Sequence, residues 1–376
     1  MGHVNVAVVA VTAIATLMGC QAQQGRSCVD GNGQAGTCIS IRSCQPLRQL
    51  LQALRTNTAP PNGFQILRGS ICNLRSNSEP LVCCASDLRT GGDDGAGGGS
   101  DLLPKQCGVT GLVDRIIDGE NAPLLAWPWM ALLRGRARGQ PSKWFCGGVL
   151  IHPRYVLTAA HCFKAIFQIE LEFVRLGEHT LNTAVDCEKG LCAPPPQNIP
   201  VEQIITHPEY ESPCKECNDI ALLRLSRPAQ LNPLHVVPIC LPVDPLKDMG
   251  FSEEEFQGKF AYAAGWGSTS MNPLRPTQPN ILQQVLLPIN DGEFCNAELR
   301  KGYPNPRSTL CAGGEGKDTC KGDSGGPLIL SNRFETKRFV VGITSVGPAV
   351  CGRQSTQGLY TNVHFYVPWI LETLRP

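Results

Sequence analysis

The octapeptide CKGDSGGP at residues 320–327 places one serine between an aspartate and two glycines. A serine hydroxyl is a poor nucleophile until a base removes its proton and a third group orients that base. If Ser324 attacks a carbonyl, the same domain must also hold a histidine and a buried acid. TAAHC at 158–162 offers His161, and NDIALLRL at 218–225 offers Asp219 at the head of an apolar run, where an unpaired carboxylate would be costly. Gly322 lets the backbone turn so that its N–H and that of Ser324 can both face a developing oxyanion. Gly325 and Gly326 keep the approach free of side chains. Each residue alone also has an ordinary reading as a strand-end acid, a turn serine or a histidine beside a cysteine; it is their joint presence in one chain that points to catalysis.

Around these residues lie short β-rich runs, KWFCGGVLI, YVLTAA, IALLRL, FAYAAGW and FVVGITSV, separated by Pro, Gly and Asn turns. Such runs predict an all-β barrel or sandwich. At the carboxy end, HFYVPWILETLRP spaces Tyr366, Trp369, Ile370 and Leu374 as a closing helix would. The chain has 376 residues, a net charge of +1 and 17% charged residues, so no charge excess points to nucleic acid or to a membrane surface as partner.

Nineteen cysteines exclude ordinary cytosolic usage. Residues 1–22 supply a route to an oxidising compartment, with the apolar run VNVAVVAVTAIATLMG and Ala22 at a small-residue cleavage site. The run lacks a basic flank, and a membrane anchor is the competing reading. Removal or capping of Cys20 leaves eighteen cysteines, an even number suited to a disulfide framework. Six of them (Cys28, Cys38, Cys44, Cys72, Cys83 and Cys84) fall in a stretch with little apolar content, where three bridges of about 2–4 kcal/mol each would have to supply stability. One helix is expected there, in CQPLRQLLQALR, with Leu47, Leu50, Leu51 and Leu54 on one face. From Ala85 to Gln106 a Gly- and acid-rich composition predicts a flexible linker.

The motifs around His161, Asp219 and Ser324, in that chain order, resemble the chymotrypsin-like serine proteases over residues 116–376. The resemblance implies an all-β, chymotrypsin-like double β-barrel with a C-terminal helix. It makes His161 the general base and then acid, Asp219 the group that holds its tautomer, Ser324 the nucleophile, and Gly322 with Ser324 the oxyanion hole. Asp318, six residues before the nucleophile, would lie at the base of the primary pocket and select Arg or Lys, with Ser345, Gly347 and Gly358 as pocket walls. Val346 stands where many relatives carry tryptophan. LVDRIIDGENA resembles an activation site cut between Arg115 and Ile116, the new Ile116 ammonium then pairing with Asp323. Implied bridges are Cys146–Cys162, Cys295–Cys311, Cys320–Cys351 and Cys107–Cys240, the last keeping the amino-terminal part attached after the cut. Cys187–Cys192 and Cys214–Cys217 are the favoured local pairs, with crossed pairing or a metal site left open by CKEC. The stretch RLGEHTLNTAVDCE resembles the calcium loop of trypsin-like enzymes, with Glu178, Thr180, Thr183 and Asp186 as oxygen donors to structural Ca²⁺; a solvated acidic loop is the alternative. No cofactor is required for the chemistry.

Six cysteines ending in an adjacent pair, then a linker, then a trypsin-like domain, resemble the clip-domain serine proteases of arthropods. This implies a small disulfide-rich clip domain at 28–84 with bridges Cys28–Cys83, Cys38–Cys72 and Cys44–Cys84, and a linker with activation segment at 85–115. It further implies a secreted haemolymph zymogen in innate immunity, acting in melanisation through prophenoloxidase or on a Toll-ligand precursor. Its partners would be an upstream activating protease, a downstream zymogen or cytokine precursor as protein substrate, and a serpin inhibitor, with no nucleic acid and no membrane. A second class stays open, a non-catalytic clip-domain cofactor. RGRARG, with Arg134, Arg136 and Arg138 on the loop before KWFCGG, reads as an exosite for an acidic partner or as a solvated loop.

Overall fold

The structure, a computed structural model, describes residues 27–30, 35–40, 44, 46–48, 50, 63–73, 81–84, 102–110, 120–164, 169–188, 190–270, 277–290, 295, 297, 306–314, 316–348, 350–351 and 357–376. The leader-type segment 1–22, Leu51, Leu54, the linker up to residue 101 and the Arg115–Ile116 bond lie outside the described residues. Two compact units divide the chain, Met1–Gly92 and Asp93–Pro376.

In the smaller unit, strands Ser27–Val29, Ala35–Ser40, Leu81–Cys84 and Ile71–Asn73 form an antiparallel sheet in that spatial order. Its apolar cluster is small, built on Cys44, Leu47, Leu50, Ile66 and Val82. Bridges Cys28–Cys83 and Cys38–Cys72 join strands of the sheet, and Cys44–Cys84 ties the cluster to it. Residues 46–48 and 50 are helical, with Leu47 and Leu50 buried as the apolar spacing predicts. A second helix, Gly63–Gly69, was not expected. Seven residues are too few to show a helical period; Ile66 is buried in it.

The larger unit holds two seven-stranded sheets. In the first the spatial order is Gln197–Ile199, Ile169–Leu176, Met130–Ala137, Lys143–His152, Tyr155–Thr158, Ala221–Leu225, Val201–Thr206. The two edge strands are consecutive in the chain, separated by Pro200 alone, so the sheet has to curl until its edges meet. Trp129, Tyr155, Leu133 and Leu157 fill the interior, all fully buried. The second sheet runs Thr309–Gly313, Gln357–Asn362, Arg338–Val346, Pro327–Ser331, Phe260–Gly265, Gln283–Pro288, Glu120–Asn121. Here an antiparallel bridge between Ile289 and Ala312 brings the end of the sixth strand onto the first. The result is the double β-barrel that the resemblance implies. Each apolar run singled out in the sequence contributes a strand.

The closing helix spans Val363–Thr373, capped by the Asn362 side chain, which accepts from the His364 amide at 3.2 Å. Val363, Tyr366, Val367 and Ile370 are its buried face. Two expectations need correction. The linker is not free along its whole length: Leu102 and Leu103 pack on the large apolar core that spans both barrels, and Gly108 exchanges backbone hydrogen bonds with Pro238 and Arg338 beside the Cys107–Cys240 bridge. Two adjacent leucines after a glycine tract were the signal. Arg134 and Arg136 belong to a strand rather than a loop, with Arg136 paired to Glu170 at 3.1 Å and Arg134 over the Trp144 ring. Among the described residues no helix is long and apolar enough to cross a membrane.

Candidate active site

His161 sits in a single 3₁₀ turn, Ala160–Phe163, directly after the strand Tyr155–Thr158. Cys162 in the same turn is bridged to Cys146 on the neighbouring strand, which anchors the imidazole's backbone. Asp219 precedes the strand Ala221–Leu225, and its side chain is fully buried. Its Oδ2 lies 2.7 Å from His161 Nδ1, and its Oδ1 accepts the His161 amide at 2.8 Å. Ser345 donates its hydroxyl to the same Oδ2, and Thr361 Oγ1 donates to the Asp219 carbonyl at 2.7 Å. Both of these partners come from the second barrel. The sequence expectation sets Ser345 among the pocket walls; its hydroxyl also supports the acid.

Opposing effects fix the charge state of this pair. Burial pushes the His161 imidazole down, but the charge and hydrogen bond of Asp219 outweigh it and hold His161 above its usual value. Burial likewise pushes Asp219 up, and His161 together with the Ser345 hydroxyl holds it below the ordinary carboxylate range. The loop entering Asp219 is pinned by Asn218, which adopts a left-handed conformation and donates to the carbonyls of Glu209 and Ser212. Tyr366 of the closing helix donates to Asn218 Oδ1 at 2.8 Å.

Ser324 comes from the other barrel, on the loop before the strand Pro327–Ser331. Its carbonyl accepts from the Gly147 amide at 2.8 Å, so the nucleophile loop is docked on the first barrel. This contact explains Gly325: its φ is +76°, and a Cβ there would lie 2.2 Å from Thr158 Oγ1 and 2.6 Å from the Gly147 carbonyl. The glycine is required where two barrels touch, a stronger demand than leaving the substrate's approach open. Gly322, with φ +108°, provides the turn that the oxyanion reading needs. Ser324, Gly322 and His161 line one cleft of about 420 Å³.

A second cavity, of about 360 Å³, reaches both Asp318 and Asp323. Gly358 and Tyr360 flank Asp318, whose Oδ1 is 3.2 Å from the point a Cβ on Gly358 would occupy. Gly347 has no neighbour near its missing side chain. The Asp318 oxygens make no hydrogen bond of ordinary geometry; only the adjacent Thr319 amide favours the charged form. Burial, reinforced by the charge of Asp323, raises the Asp318 pKa to about 7. Asp323 accepts from the Gly267 amide at 2.8 Å and the Cys320 amide at 2.9 Å, and burial still pushes its pKa up. Among the described residues no cationic side chain pairs with either acid.

The remaining bridges are Cys187–Cys192, Cys214–Cys217, Cys295–Cys311 and Cys320–Cys351, so CKEC closes on itself and offers no thiolate to a metal. Of the oxygens expected to hold calcium, those of Glu178 and Asp186 and the Thr180 carbonyl are engaged by the protein. Glu178 pairs with Arg175 at 2.9 Å and accepts the His179 amide at 2.9 Å. Asp186 takes the amides of His179 and Thr180 and the Thr183 hydroxyl. The Thr180 carbonyl takes the Thr183 amide and hydroxyl. Such a set does not fit Ca²⁺, which needs several free oxygen lone pairs converging on one point.

Comparison with known proteins gives consistent relationships. Residues 116–370 match the family model described as Trypsin, and residues 28–84 match the regulatory CLIP domain of proteinases. The chain is similar to the CLIP domain-containing serine protease HP8 of Bombyx mori, 38% identical over 366 residues, covering 93% of this chain and 94% of that protein. Phenoloxidase-activating factor 3 of Holotrichia diomphalia is 36% identical over 359 residues, with 93% and 94% covered. Among solved structures, that of the Drosophila Grass clip serine protease of the Toll pathway superposes with a TM-score of 0.61 at 32% identity, covering 93% of this chain and 98% of that one.

Proposed function

The chain belongs to the trypsin family of serine proteases and carries a regulatory clip domain ahead of its protease domain, and from that premise we propose that it is a secreted zymogen of an active endopeptidase that cuts proteins after Arg or Lys. The observation that carries the proposal is the His161–Asp219 contact of 2.7 Å in the cleft that also holds Ser324. In this reading His161 takes the Ser324 proton as the hydroxyl attacks the scissile carbonyl, then returns it to the leaving amine. Asp219 keeps the Nδ1–H tautomer and stabilises the imidazolium. The amides of Gly322 and Ser324 receive the oxyanion.

Asp318 gives the substrate class. A buried carboxylate that has no counter-ion among the described residues, with no side chain on the adjacent Gly358, favours a guanidinium or ammonium and penalises an apolar side chain that would leave the charge unpaired. Asp323 is the second incomplete acid, and a cut after Arg115 would supply an Ile116 ammonium to it. Since removing one member of a buried ion pair is expensive, the uncut state would lack the support that the Ser324 loop needs. The Cys107–Cys240 bridge would hold the amino-terminal part on the cleaved enzyme.

Eighteen cysteines paired in nine bridges suit an extracellular protein. Phenoloxidase activation is named for one relative and the Toll pathway for another, which supports a place for this chain in a haemolymph cascade of innate immunity. There an upstream protease would activate it, a zymogen or cytokine precursor would be its substrate, and a serpin would inhibit it. The test is to treat the purified chain with a trypsin-like activator and assay arginyl and leucyl amides. Expected are a new amino terminus reading IIDGE and arginyl turnover that Ser324→Ala abolishes. Turnover unchanged in that variant, or none after a confirmed cut at Arg115, would leave the cofactor reading in its place.

A further inference from the structure

We propose that the leaving-group side of the cleft is a specificity subsite for one or two apolar residues followed by an acidic one, formed by Lys143 and Lys321 above an aromatic floor. The proposal rests on the protease reading above and adds the substrate chemistry on the far side of the cut bond. Since the residue before the bond goes to Asp318, and His161 hands a proton to the departing amine, the residues after the bond must leave along the His161 side. The cleft holding Ser324 and His161 extends that way, and Asp318 is not among its lining residues.

The chemistry of this half is uniform. Phe145, Ile169, Trp266 and the Cys146–Cys162 bridge give an apolar floor for one or two side chains. The lining residues include no Asp or Glu, while Lys143 and Lys321 stand at the rim, both exposed. Among the described residues neither ammonium is paired with a carboxylate, in contrast to Lys164 on the other flank of His161, which is held by Glu211 at 2.9 Å. Trp144 extends the wall, with the guanidinium groups of Arg134 and Arg175 each 4.9 Å from its ring centroid. Arg175 is offset by Glu178, so the charges facing the exit path are the ammonium groups of Lys143 and Lys321, and beside an apolar surface they suit a peptide that is greasy first and anionic next. One sequence of that chemistry lies in this chain, where Arg115 is followed by Ile-Ile-Asp-Gly-Glu.

Three quenched peptides test this, identical up to arginine and continuing Ile-Ile-Asp-Gly-Glu, Ile-Ile-Asn-Gly-Gln or Ile-Ile-Lys-Gly-Lys. With the activated full chain, kcat/KM should fall in that order, by about tenfold from first to last at low salt, as expected for two exposed ion pairs exchanged for two repulsions. The ratio should shrink at 0.5 M salt. In the double variant Lys143→Glu, Lys321→Glu the order should invert. Equal kcat/KM for the three peptides, or an order that survives charge reversal, overturns the subsite. A short arginyl amide with nothing after the cut bond is run alongside: its turnover shows the protease reading to hold even where the subsite fails.

Discussion

The two barrels treat their buried acids in opposite ways. Asp219, just ahead of a first-barrel strand, is met by a histidine, a backbone amide and, from the second barrel, the Ser345 hydroxyl, and its carboxylate is held below the ordinary range in a fully buried site. The second barrel leaves, among the described residues, Asp318 with no ordinary hydrogen bond and Asp323 with two amides and no cation, and both are pushed upward by burial. A preorganised acid orients its histidine without a ligand. On the proposed reading an incomplete acid is a place for something to arrive, a substrate side chain at Asp318 and a liberated amino terminus at Asp323. The Asp219–His161 pair is thus assembled across both barrels before any ligand binds, while Asp318 and Asp323 would depend on one.

Asp219→Asn breaks the complete side of this contrast and should have the largest effect. The amide cannot accept the Nδ1–H as the carboxylate does, so the ring takes the wrong tautomer and kcat should fall about 10⁴-fold with little change in KM. Asp318→Ser attacks the incomplete side. A cationic substrate loses its one buried counter-ion there, and kcat/KM on arginyl substrates should fall at least about a hundredfold. The activated variants, assayed on arginyl and phenylalanyl amides, separate the two cases: the first loses activity on every substrate and the second loses preference. Equal rates of the native enzyme on Arg and Phe would remove the pocket assignment.

Ionisation gives a finer test. The empty pocket holds Asp318 at a pKa of about 7, so near neutral pH a fraction of the carboxyl is protonated. A cation favours the ionised form and lowers that pKa, so binding a small guanidinium ligand must release protons at pH 7 and below and must weaken as pH falls. Calorimetry in two buffers of different ionisation enthalpy reads the proton count. Binding that is flat from pH 5 to 8 would mean that Asp318 is already ionised and partnered. Asp219, held low by its partners, should contribute nothing to this release.

The complete side was also the more legible one. His161, Asp219 and Ser324 sit in short motifs whose chemistry can be argued from residue type, and the strands that carry them announce themselves by apolar runs bounded by turns. The supporting contacts were not legible, because they join distant positions: Ser345 and Asp219 are 126 residues apart, and Gly267 and Asp323 are 56 apart. No local pattern encodes such a pair. Gly325 illustrates the same limit, since the sequence shows that a glycine is present but not that Thr158 lies against it. In the small unit, strands of three to six residues and the seven-residue helix Gly63–Gly69 are shorter than any window in which a period can be read.

The smallest effect is expected from calcium, and it bears on the rule that an incomplete acid awaits a ligand. Glu178 and Asp186 are buried carboxylates near one another, and burial together with Asp186 pushes Glu178 up. They nonetheless belong with Asp219, because Arg175 already supplies the cation and the amides of His179 and Thr180 supply the donors. A ligand stabilises a protein only in so far as it binds the folded form, and an ion would first have to displace Arg175. The melting temperature of the full chain should therefore agree within about 1 °C between millimolar Ca²⁺ and chelator. A clear rise with Ca²⁺ that Mg²⁺ does not reproduce would place this loop with Asp318 and Asp323 instead, and the division between the barrels would no longer hold.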